Sequence, residues 1–452
     1  MKNMKGWNDM KRAICLVLSI IMLVTLITAC GSKTEDIKQD TETSNMQQNQ
    51  EETKKEEQKK EVTLHIIHWN LLGKNVIDKF EKENPGIKIQ FEQFPVDKFI
   101  QVIKTRIASN ELPDILGAQE VDFKNYIKQG IYMDLTNENF LANYLDNVVA
   151  ELKNFSGDGK VYSVPTNAFS LGIWINKDLF KENGVSIPTN YDELVKAAED
   201  LKAKSIPPFV QGIKDGWPIQ QGMYTMFEVQ VQNEGVYEKC KTGEQKWTDS
   251  PIKDGFVKWG EFFGKKGIFI EGSMGLTYEQ AYQTFEQGKA AMWPMGSWAT
   301  EFMKDKDGNP KKLPFEVDFI PIYSVDSKGE KVIPGTYIGA MYSIAAATKN
   351  PAEAKKFFEF LTTPENAAEY AKGNGVIFPV KGIDLEAAIP YGSIVGNTTL
   401  ENKLVQPFNM TVDAAIESQL TIALQNIVAG KSVEEELAEM QKVQEKANQE
   451  RK

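Results

Sequence analysis

The chain has 452 residues, of which 52 are Lys or Arg and 63 are Asp or Glu, and its formal net charge is −11 at pH 7. Recognition of phosphate needs a basic surface, so this acidic balance argues against nucleic acid and against anionic lipid as partners. Of the three cysteines, Cys15, Cys30 and Cys240, only the last lies beyond residue 30. An intramolecular disulfide and a zinc site built on cysteines are therefore excluded from the folded part, and Cys240 is expected to be a buried, inert thiol.

The N-terminus has the basic and apolar parts of a secretory signal peptide. Basic residues precede an apolar run over residues 13–29, which is too short for a confident membrane span. The run ends at Leu26-Ile27-Thr28-Ala29-Cys30-Gly31, which resembles the lipobox of bacterial lipoproteins, although Ile27 stands where Leu is usual. The resemblance implies that residues 1–29 are removed and that lipid on Cys30 anchors the chain outside a cell membrane, in a Gram-positive bacterium. The alternative is a plain signal peptide or a membrane anchor with an incidental cysteine.

Residues 30–60 are predicted to be a disordered tether behind the lipidated cysteine. Residues 32–60 are Gln, Glu, Lys, Thr, Asn and Ser with almost no apolar side chain, so the segment cannot bury enough surface to offset its ordering entropy. The folded part then begins at Glu61 and is too long for a single core, so two lobes are expected.

The beginning of the folded part alternates between strand and helix patterns. Strands are predicted at 62–69, 87–91 and 113–116, and helices around 76–80, 99–107 and 123–127. Such alternation is typical of a mostly parallel α/β sheet. Further on, Asn350 and Thr363 each precede a proline and are predicted to cap two consecutive helices, and a last helix is expected from about Val433.

Five stretches in this order resemble a known family, the extracellular solute-binding proteins of carbohydrate ABC importers, which include maltose-binding protein. They are Phe80-Glu-Lys-Glu-Asn-Pro-Gly-Ile87, Leu112-Pro-Asp-Ile115, Tyr162-Ser-Val-Pro165 with Ile175-Asn-Lys-Asp-Leu-Phe180, Phe285-Glu-Gln-Gly-Lys-Ala-Ala-Met292 with Gly296-Ser-Trp298, and Lys349-Asn-Pro351 to Pro364-Glu365. Where relatives often have Tyr-Asn-Lys-Asp, this chain has Ile175, so one familiar aromatic residue is missing.

The resemblance implies a periplasmic-binding-protein-like fold of type II, in which two α/β lobes are joined by a hinge of several crossing segments. Mapping the motifs predicts lobe one as residues 61–165 plus 320–372 and lobe two as 166–319 plus 373–452. A carbohydrate would lie between the lobes, which close on it and present the closed form to the permease subunits of the importer. The family also implies a monomer that performs no catalysis and is located outside the cytoplasm.

The residues that directly follow predicted strands are the candidate contacts with a sugar, because ligands of open α/β sheets bind beyond the carboxyl ends of strands. Sugars offer apolar C–H faces that aromatic rings cover, and hydroxyls that amides and carboxylates satisfy. Trp69 and Asn70 follow the first strand, and Gln119 and Glu120 follow the third. Asp114 is expected to hold a loop together instead of contacting ligand.

Four further candidates lie in the second half of the expected site. Trp298, in Gly-Ser-Trp, occupies a position that in relatives often stacks on sugar, and Trp69 is expected to oppose it from lobe one. Trp217 lies in a loop, Tyr337 on the segment that returns to lobe one, and Asn167 at the first hinge crossing. Trp293 is interpreted as core.

The sequence predicts neither a metal site nor a cofactor. His65 and His68 are three residues apart on a strand and so face opposite sides. Asp305, Asp307 and Asn309 alternate through a turn, but the bidentate Glu of a calcium loop is missing.

Three alternative functions stay open at this point. An extracellular glycoside hydrolase would need two carboxylates about 5–10 Å apart, and no hydrolase motif is recognised. A binding protein that reports to a sensor kinase, or one of the same fold that binds a polyamine, a metal or a phosphorylated molecule, is also compatible with the sequence. Several candidate aromatic residues and few candidate cations favour a neutral sugar.

The lipobox gives a direct prediction. Cys30→Ser is expected to release the protein from membranes or to block its processing, because the thiol that would carry the lipid is lost. Fractionation of cells into membrane and soluble material measures this. Unchanged membrane retention together with normal cleavage would show that Cys30 is not the anchor.

Overall fold

The computed structural model describes residues 61–118, 120–223, 235–305, 311–322, 324–325, 331–332, 336–400 and 412–451. The predicted signal peptide and tether, with Cys30, lie outside these residues, and so does Gln119. For a few positions, Glu120 among them, the backbone is described and the side chain is not.

The alternation of strands and helices predicted for the beginning of the folded part is confirmed. The elements are β1 (Val62–His68), α1 (Lys74–Glu83), β2 (Ile87–Gln93), α2 (Val96–Ser109), β3 (Ile115–Ala118) and α3 (Glu120–Lys128). β1 lies between β2 and β3 and is parallel to both. β3 begins two residues later than predicted, since Pro113 has no N–H to donate to a ladder.

The expected structural role of Asp114 is confirmed. Its carboxylate accepts hydrogen bonds from the backbone N–H of His65 (2.9 Å), from the Asn350 side chain (3.1 Å) and from the Thr348 hydroxyl. One side chain thus joins β1, the start of β3 and the segment before a later helix. Asn350 occupies the predicted N-cap position of the helix Pro351–Leu361, but its side chain bonds to Asp114 and makes no capping hydrogen bond.

Two later segments complete the sheet that contains β1. They are β4 (Val164–Pro165) and β12 (Met341–Ile344), and the strand order is β2-β1-β3-β12-β4. β12 is antiparallel to both of its neighbours. The strands β2, β1 and β3 are therefore parallel to one another, and β12, which comes from a distant part of the chain, runs antiparallel between β3 and β4.

A second, three-stranded sheet lies around β6 (Leu171–Asn176), flanked by β7 (Met292–Gly296) and β8 (Val317–Ile320). Both neighbours are antiparallel to β6, all six of whose residues are buried. Trp293 on β7 is fully buried, so its interpretation as core is confirmed.

One antiparallel ladder connects the two sheets, and we call it the hinge ladder (residues 164–169 against 337–342). Its ends are the β4–β12 pair and the pair of β5 (Ala168–Phe169) with β11 (Tyr337–Ile338), which share one register. Between them, Thr166 donates to Ala340 and Gly339 donates to Asn167, both with N···O distances of 2.9 Å. Beyond β5 the chain continues directly into β6. A separate short ladder pairs β9 (Ser324–Val325) with β10 (Lys331–Val332).

The other helices surround these sheets. They are α4 (Asp146–Ser156), α5 (Lys177–Glu182), α6 (Tyr191–Ala203), α7 (Val236–Thr242), α8 (Ile252–Phe263), α9 (Tyr278–Glu286), α10 (Pro351–Leu361), α11 (Pro364–Asn374), α12 (Leu385–Ala388), α13 (Gly392–Leu400), α14 (Ala414–Val428) and α15 (Val433–Glu450), with short 3₁₀ helices at Asn139–Asn143, Ile213–Asp215, Ser273–Gly275 and Ser297–Phe302. The predicted cap at Thr363 is confirmed, because its hydroxyl accepts the N–H of Asn366.

The buried apolar side chains form two cores. One contains the strands of the five-stranded sheet with α1, α4 and α10. The other contains β6 with α6, α8, α14 and part of α15. Cys240 belongs to the second core, where burial raises the pKa of its thiol to about 12, which confirms the expected inert thiol.

None of the helices in the described part of the chain combines the length and the apolar character needed to cross a bilayer.

Candidate functional site

Five aromatic side chains form a continuous series of ring contacts, which we call the aromatic row. Neighbouring ring centroids are 5.5, 5.4, 6.5 and 4.7 Å apart. In order, its members are Tyr337, Phe169, Trp298, Trp217 and Tyr278. The row brings together residues that are up to 168 positions apart in the sequence, so the fold and not local structure assembles it.

The hinge ladder positions the first two rings. Phe169 and Tyr337 are directly opposite each other in the β5–β11 pair, and directly opposed residues share one face of a ladder. Trp298 follows β7 in a short 3₁₀ helix, whose first residue is tied to the strand segment beside Phe169. There the backbone N–H of Ser297 donates to the Ser170 carbonyl (2.9 Å), and the Ser297 hydroxyl accepts from the Ser170 N–H (3.2 Å).

The outer two rings are held by a separate contact. Trp217 lies just after the 3₁₀ helix Ile213–Asp215, and Tyr278 begins α9. The Asp215 carboxylate accepts the backbone N–H of Tyr278 at 2.8 Å, which holds the turn before Trp217 against the start of α9. The prediction that Trp217 lies in a loop is wrong, because this residue begins a helix that is described over residues 217–223. The two rings then meet edge to face, at an interplanar angle of 68°.

Glycines lie beneath the candidate aromatic residues. A Cβ atom on Gly296 would overlap the ring of Trp298, and one on Gly339 would overlap the ring of Phe169. A Cβ on Gly117 would lie 2.6 Å from the ring of Trp69. Each ring therefore occupies the space that a side chain at the glycine would fill, and its position depends on the absence of that side chain.

A short polar chain begins at Trp298. Its indole lies close to the hydroxyl of Tyr278, which donates to the carboxylate of Glu301 at 3.3 Å. Burial raises the pKa of the Tyr278 hydroxyl. Burial also raises the pKa of Glu301, against the lowering effects of the hydrogen bond from Tyr278 and of the charge on Lys304. The aromatic row is thus accompanied by one carboxyl group at the surface whose pKa is raised.

Asn167 contributes a buried acceptor beside the row. Its side chain is only 3% exposed, and its Oδ1 atom has no hydrogen-bond partner among the described residues. Strand alternation places Asn167 on the same face of the hinge ladder as Phe169 and Tyr337. A buried acceptor without a partner costs about 1–3 kcal/mol, so this oxygen is suited to accept a hydroxyl from a ligand.

Trp69 and Asn70 belong to a second group, at the end of β1. The ring of Trp69 stacks on His68 (centroids 4.1 Å apart) and meets Phe99 edge to face. His68 is fully buried, and burial lowers its pKa to about 3, so the imidazole is neutral. Its Nδ1 atom then accepts the backbone N–H of Asn70 at 2.7 Å, which positions Asn70.

The second group reaches the hinge ladder through Tyr370. The hydroxyl of Tyr370, which lies close to the Asn70 side chain, donates to Thr166 at 3.3 Å. Thr166 directly precedes Asn167 in the hinge ladder. The two groups are therefore attached to the same short strand, although no ring contact joins Trp69 to Trp298 within the described part of the chain.

The structure thus brings together four of the predicted site residues, which are Trp298, Trp217, Tyr337 and Asn167. Trp69 and Asn70 lie in the second group, Gln119 lies outside the described residues, and the side chain of Glu120 is not described. Their contact with ligand stays a prediction. Sequence reasoning missed Phe169, Tyr278, Glu301 and Tyr370. Of these, only Phe169 could have been predicted from the sequence. It lies two residues after the candidate Asn167 on the predicted hinge segment, and residues two apart on a strand face the same side.

The two histidines of the chain lie apart from any metal-binding cluster in the described residues. His65 is exposed at the surface and His68 is buried in the second group. No cluster of three or more His, Cys, Asp or Glu side chains suited to a metal ion occurs in the described part of the chain.

Comparison with known proteins gives the same family as the motifs. The sequence profile of the bacterial extracellular solute-binding proteins matches residues 72–368. The multiple sugar-binding protein of Streptococcus mutans is 32% identical over 320 residues, which cover 69% of this chain and 72% of that protein.

Solved structures agree with the fold. A chitin oligosaccharide binding protein is 26% identical with a TM-score of 0.67, and the match covers 86% of this chain and 99% of that one. RafE in complex with raffinose is 22% identical with a TM-score of 0.66, over 86% of this chain and 100% of that one. The predicted two-lobed, periplasmic-binding-protein-like fold is confirmed. The chain belongs to the bacterial extracellular solute-binding proteins, the extracytoplasmic binding components of ABC importers.

Proposed function

We propose that the protein captures a mono- or oligosaccharide at the aromatic row and delivers it to the permease of an ABC importer. The observation that carries this proposal is the row itself, with Trp298 at its centre and the polar groups of Asn167 and Glu301 beside it. Rings of this kind cover the C–H faces of sugars, while amide and carboxyl oxygens accept their hydroxyls. The relatives named for multiple sugars and for chitin oligosaccharides support the same class of ligand.

The hinge ladder supports the proposed division into lobes. We propose that lobe one comprises residues 61–165 plus 320–372 and lobe two residues 166–319 plus 373–452. The ladder leaves the five-stranded sheet at β4 and leads through β5 into β6 of the second sheet, so bending there would move the two sheets relative to each other. Residues 379–381 bond back to residues 143–145, which favours extending lobe one beyond residue 372.

Further features of the proposal come from the sequence and the family. We propose a monomer without catalytic activity, anchored through lipid on Cys30 to the membrane of a Gram-positive cell. The motif at residues 26–31 and the apolar run before it support the anchor. A protein that serves transport by binding and release needs no reactive group, and incubation with chromogenic glycosides is expected to give no turnover.

A saccharide screen with a Trp298 variant tests the proposed function. Thermal shift against mono- and oligosaccharides, including raffinose and chitin oligosaccharides, is expected to identify a ligand. Trp298→Ala should then weaken its binding by about 30- to 1000-fold, because loss of a buried aromatic anchor costs about 2–4 kcal/mol. Isothermal titration calorimetry measures the change.

Phe155→Ala is the matched control for Trp298→Ala. Phe155 is also a half-buried aromatic residue. Its ring stacks on that of Phe123, and among the described residues it has no ring contact with a member of the aromatic row. Because Trp298 packs against both cores, some loss of stability is expected in both variants. Ligand affinity should fall only for Trp298→Ala. Wild-type affinity in folded Trp298→Ala would show that the row is not the binding site.

The glycine beneath Trp298 gives an independent prediction. Gly296→Ala keeps every aromatic and polar side chain, but the added methyl group would displace the Trp298 ring. Saccharide affinity is expected to fall about tenfold or more, since the ring loses its position against the ligand. Calorimetry of this variant beside Gly275→Ala, where an added Cβ meets nothing within 4 Å, measures the effect. Equal affinities of the two variants would contradict the role of Gly296.

A further inference from the structure

His68 is a fully buried side chain at the end of β1, and both of its ring nitrogens are engaged. The Nδ1 atom accepts the backbone N–H of Asn70 at 2.7 Å, so this nitrogen carries no proton. In the neutral ring the proton is therefore on Nε2, which lies 3.3 Å from the carbonyl oxygen of Met341 and donates to it. One imidazole thus connects the residue two positions ahead in the chain to a residue of the hinge ladder.

The ring of His68 also contacts the rings of Trp69 and Tyr342. Its centroid lies 4.1 Å from each of them, at interplanar angles of 20° and 31°. Neighbouring residues of a strand face opposite sides, so Trp69 can stack on His68 only because the chain bends directly after β1. The bend is described at Trp69 and Asn70. The hydrogen bond from Asn70 to His68 closes this bend and so determines where the ring of Trp69 lies.

The surroundings of the imidazole keep it uncharged. Burial lowers the pKa of His68 to about 3, and burial also raises the pKa of the Tyr342 hydroxyl, the titratable group among its ring neighbours. A neutral imidazole accepts through one nitrogen and donates through the other, whereas a protonated one has two donors and could not accept from Asn70. His68 therefore holds the bend in one protonation state and in one tautomer.

The bend after β1 has the hydrogen bond of an Asx turn, with a histidine in the place of the usual residue. In an Asx turn, the side chain of Asn or Asp bonds to the backbone two residues further on. Here the Nδ1 atom of His68 makes this bond to Asn70. Unlike Asn or Asp, the imidazole has a second nitrogen that reaches Met341, so the bend is fixed to the hinge ladder and not only to β1.

We propose that His68 is a positioning residue for ligand binding. Through Nδ1 it holds the bend that presents Trp69 and Asn70, and through Nε2 it aligns that bend with the hinge ladder at Met341. His68 acts through these residues and not by contact with ligand, since its ring is fully buried. This proposal rests on the proposed function and deepens it, because it makes the geometry of the bend a condition for tight binding of a saccharide.

The tautomer of His68 gives a test that needs no ligand. The chain has only two histidines, so in His65→Gln, which removes the exposed one, every imidazole signal comes from His68. Nitrogen-15 NMR of this variant without a histidine tag is expected to show a neutral ring with its proton on Nε2 from about pH 5 to pH 8. A proton on Nδ1, or a ring that becomes charged within this range, would overturn the proposal.

Calorimetry with raffinose and the chitin trisaccharide tests the role of His68 in binding. His68→Asn keeps an acceptor that reaches the N–H two residues further on, whereas His68→Leu has none. Both variants lose the imidazole ring and its bond to Met341, so their melting temperatures should fall by similar amounts. For a saccharide that binds the wild type, we expect His68→Leu to weaken affinity about tenfold or more, and His68→Asn less than about threefold.

His68→Gln completes the comparison, because its longer side chain places the amide near the position of Nε2 and not near that of Nδ1. It should bind as weakly as His68→Leu, and it takes the place of that variant if circular dichroism shows that His68→Leu does not fold. Affinity of His68→Asn equal to that of the Leu and Gln variants would overturn the proposal. Failure of both saccharides to bind the wild type would instead contradict the proposed function, and the NMR result would still decide whether Nδ1 holds the bend.

Discussion

The register of the hinge ladder is the constraint on which the rest of the site depends. Two segments more than 160 residues apart keep the same pairing from Val164 with Tyr342 to Phe169 with Tyr337, on both sides of a bend at Thr166. A slip of one residue would turn Phe169 and Asn167 to the opposite face. Because the same ladder begins in the five-stranded sheet and leads into β6, it fixes both the position of the first rings and the path between the two sheets.

The aromatic row gains its fixed geometry from backbone more than from side-chain packing. Individual ring contacts contribute about 0.5–1.5 kcal/mol each, which is too little to hold a half-exposed tryptophan in one place. Gly296 lets the ring of Trp298 lie on the strand end, and the carbonyl of Gly296 is itself held by the indole of the buried Trp174 at 3.2 Å. A ring that is already in position loses little entropy when a ligand covers it, which favours affinity.

Local sequence patterns predicted the elements but not all of their partners. The period of β2 and the proline-led starts of α10 and α11 depend on neighbouring residues, and these predictions were correct. The Asn350 side chain makes no capping bond because Asp114, 236 residues away, takes it. Tyr278 could not be assigned to the site, since its neighbour in the row, Trp217, lies 61 positions earlier in the sequence. Trp69 was expected to oppose Trp298, yet the described contacts place the two in separate groups.

Hydrogen exchange with and without a saccharide that binds, such as raffinose or the chitin trisaccharide, tests the central claim most directly. If the hinge ladder and the aromatic row form the binding site, ligand should slow amide exchange in peptides that cover residues 165–170, 296–302 and 336–340. Peptides from α6, which belongs to the second core and contributes nothing to the row, should be unaffected. Saturation with ligand that leaves those three segments unchanged and protects others instead would contradict the account.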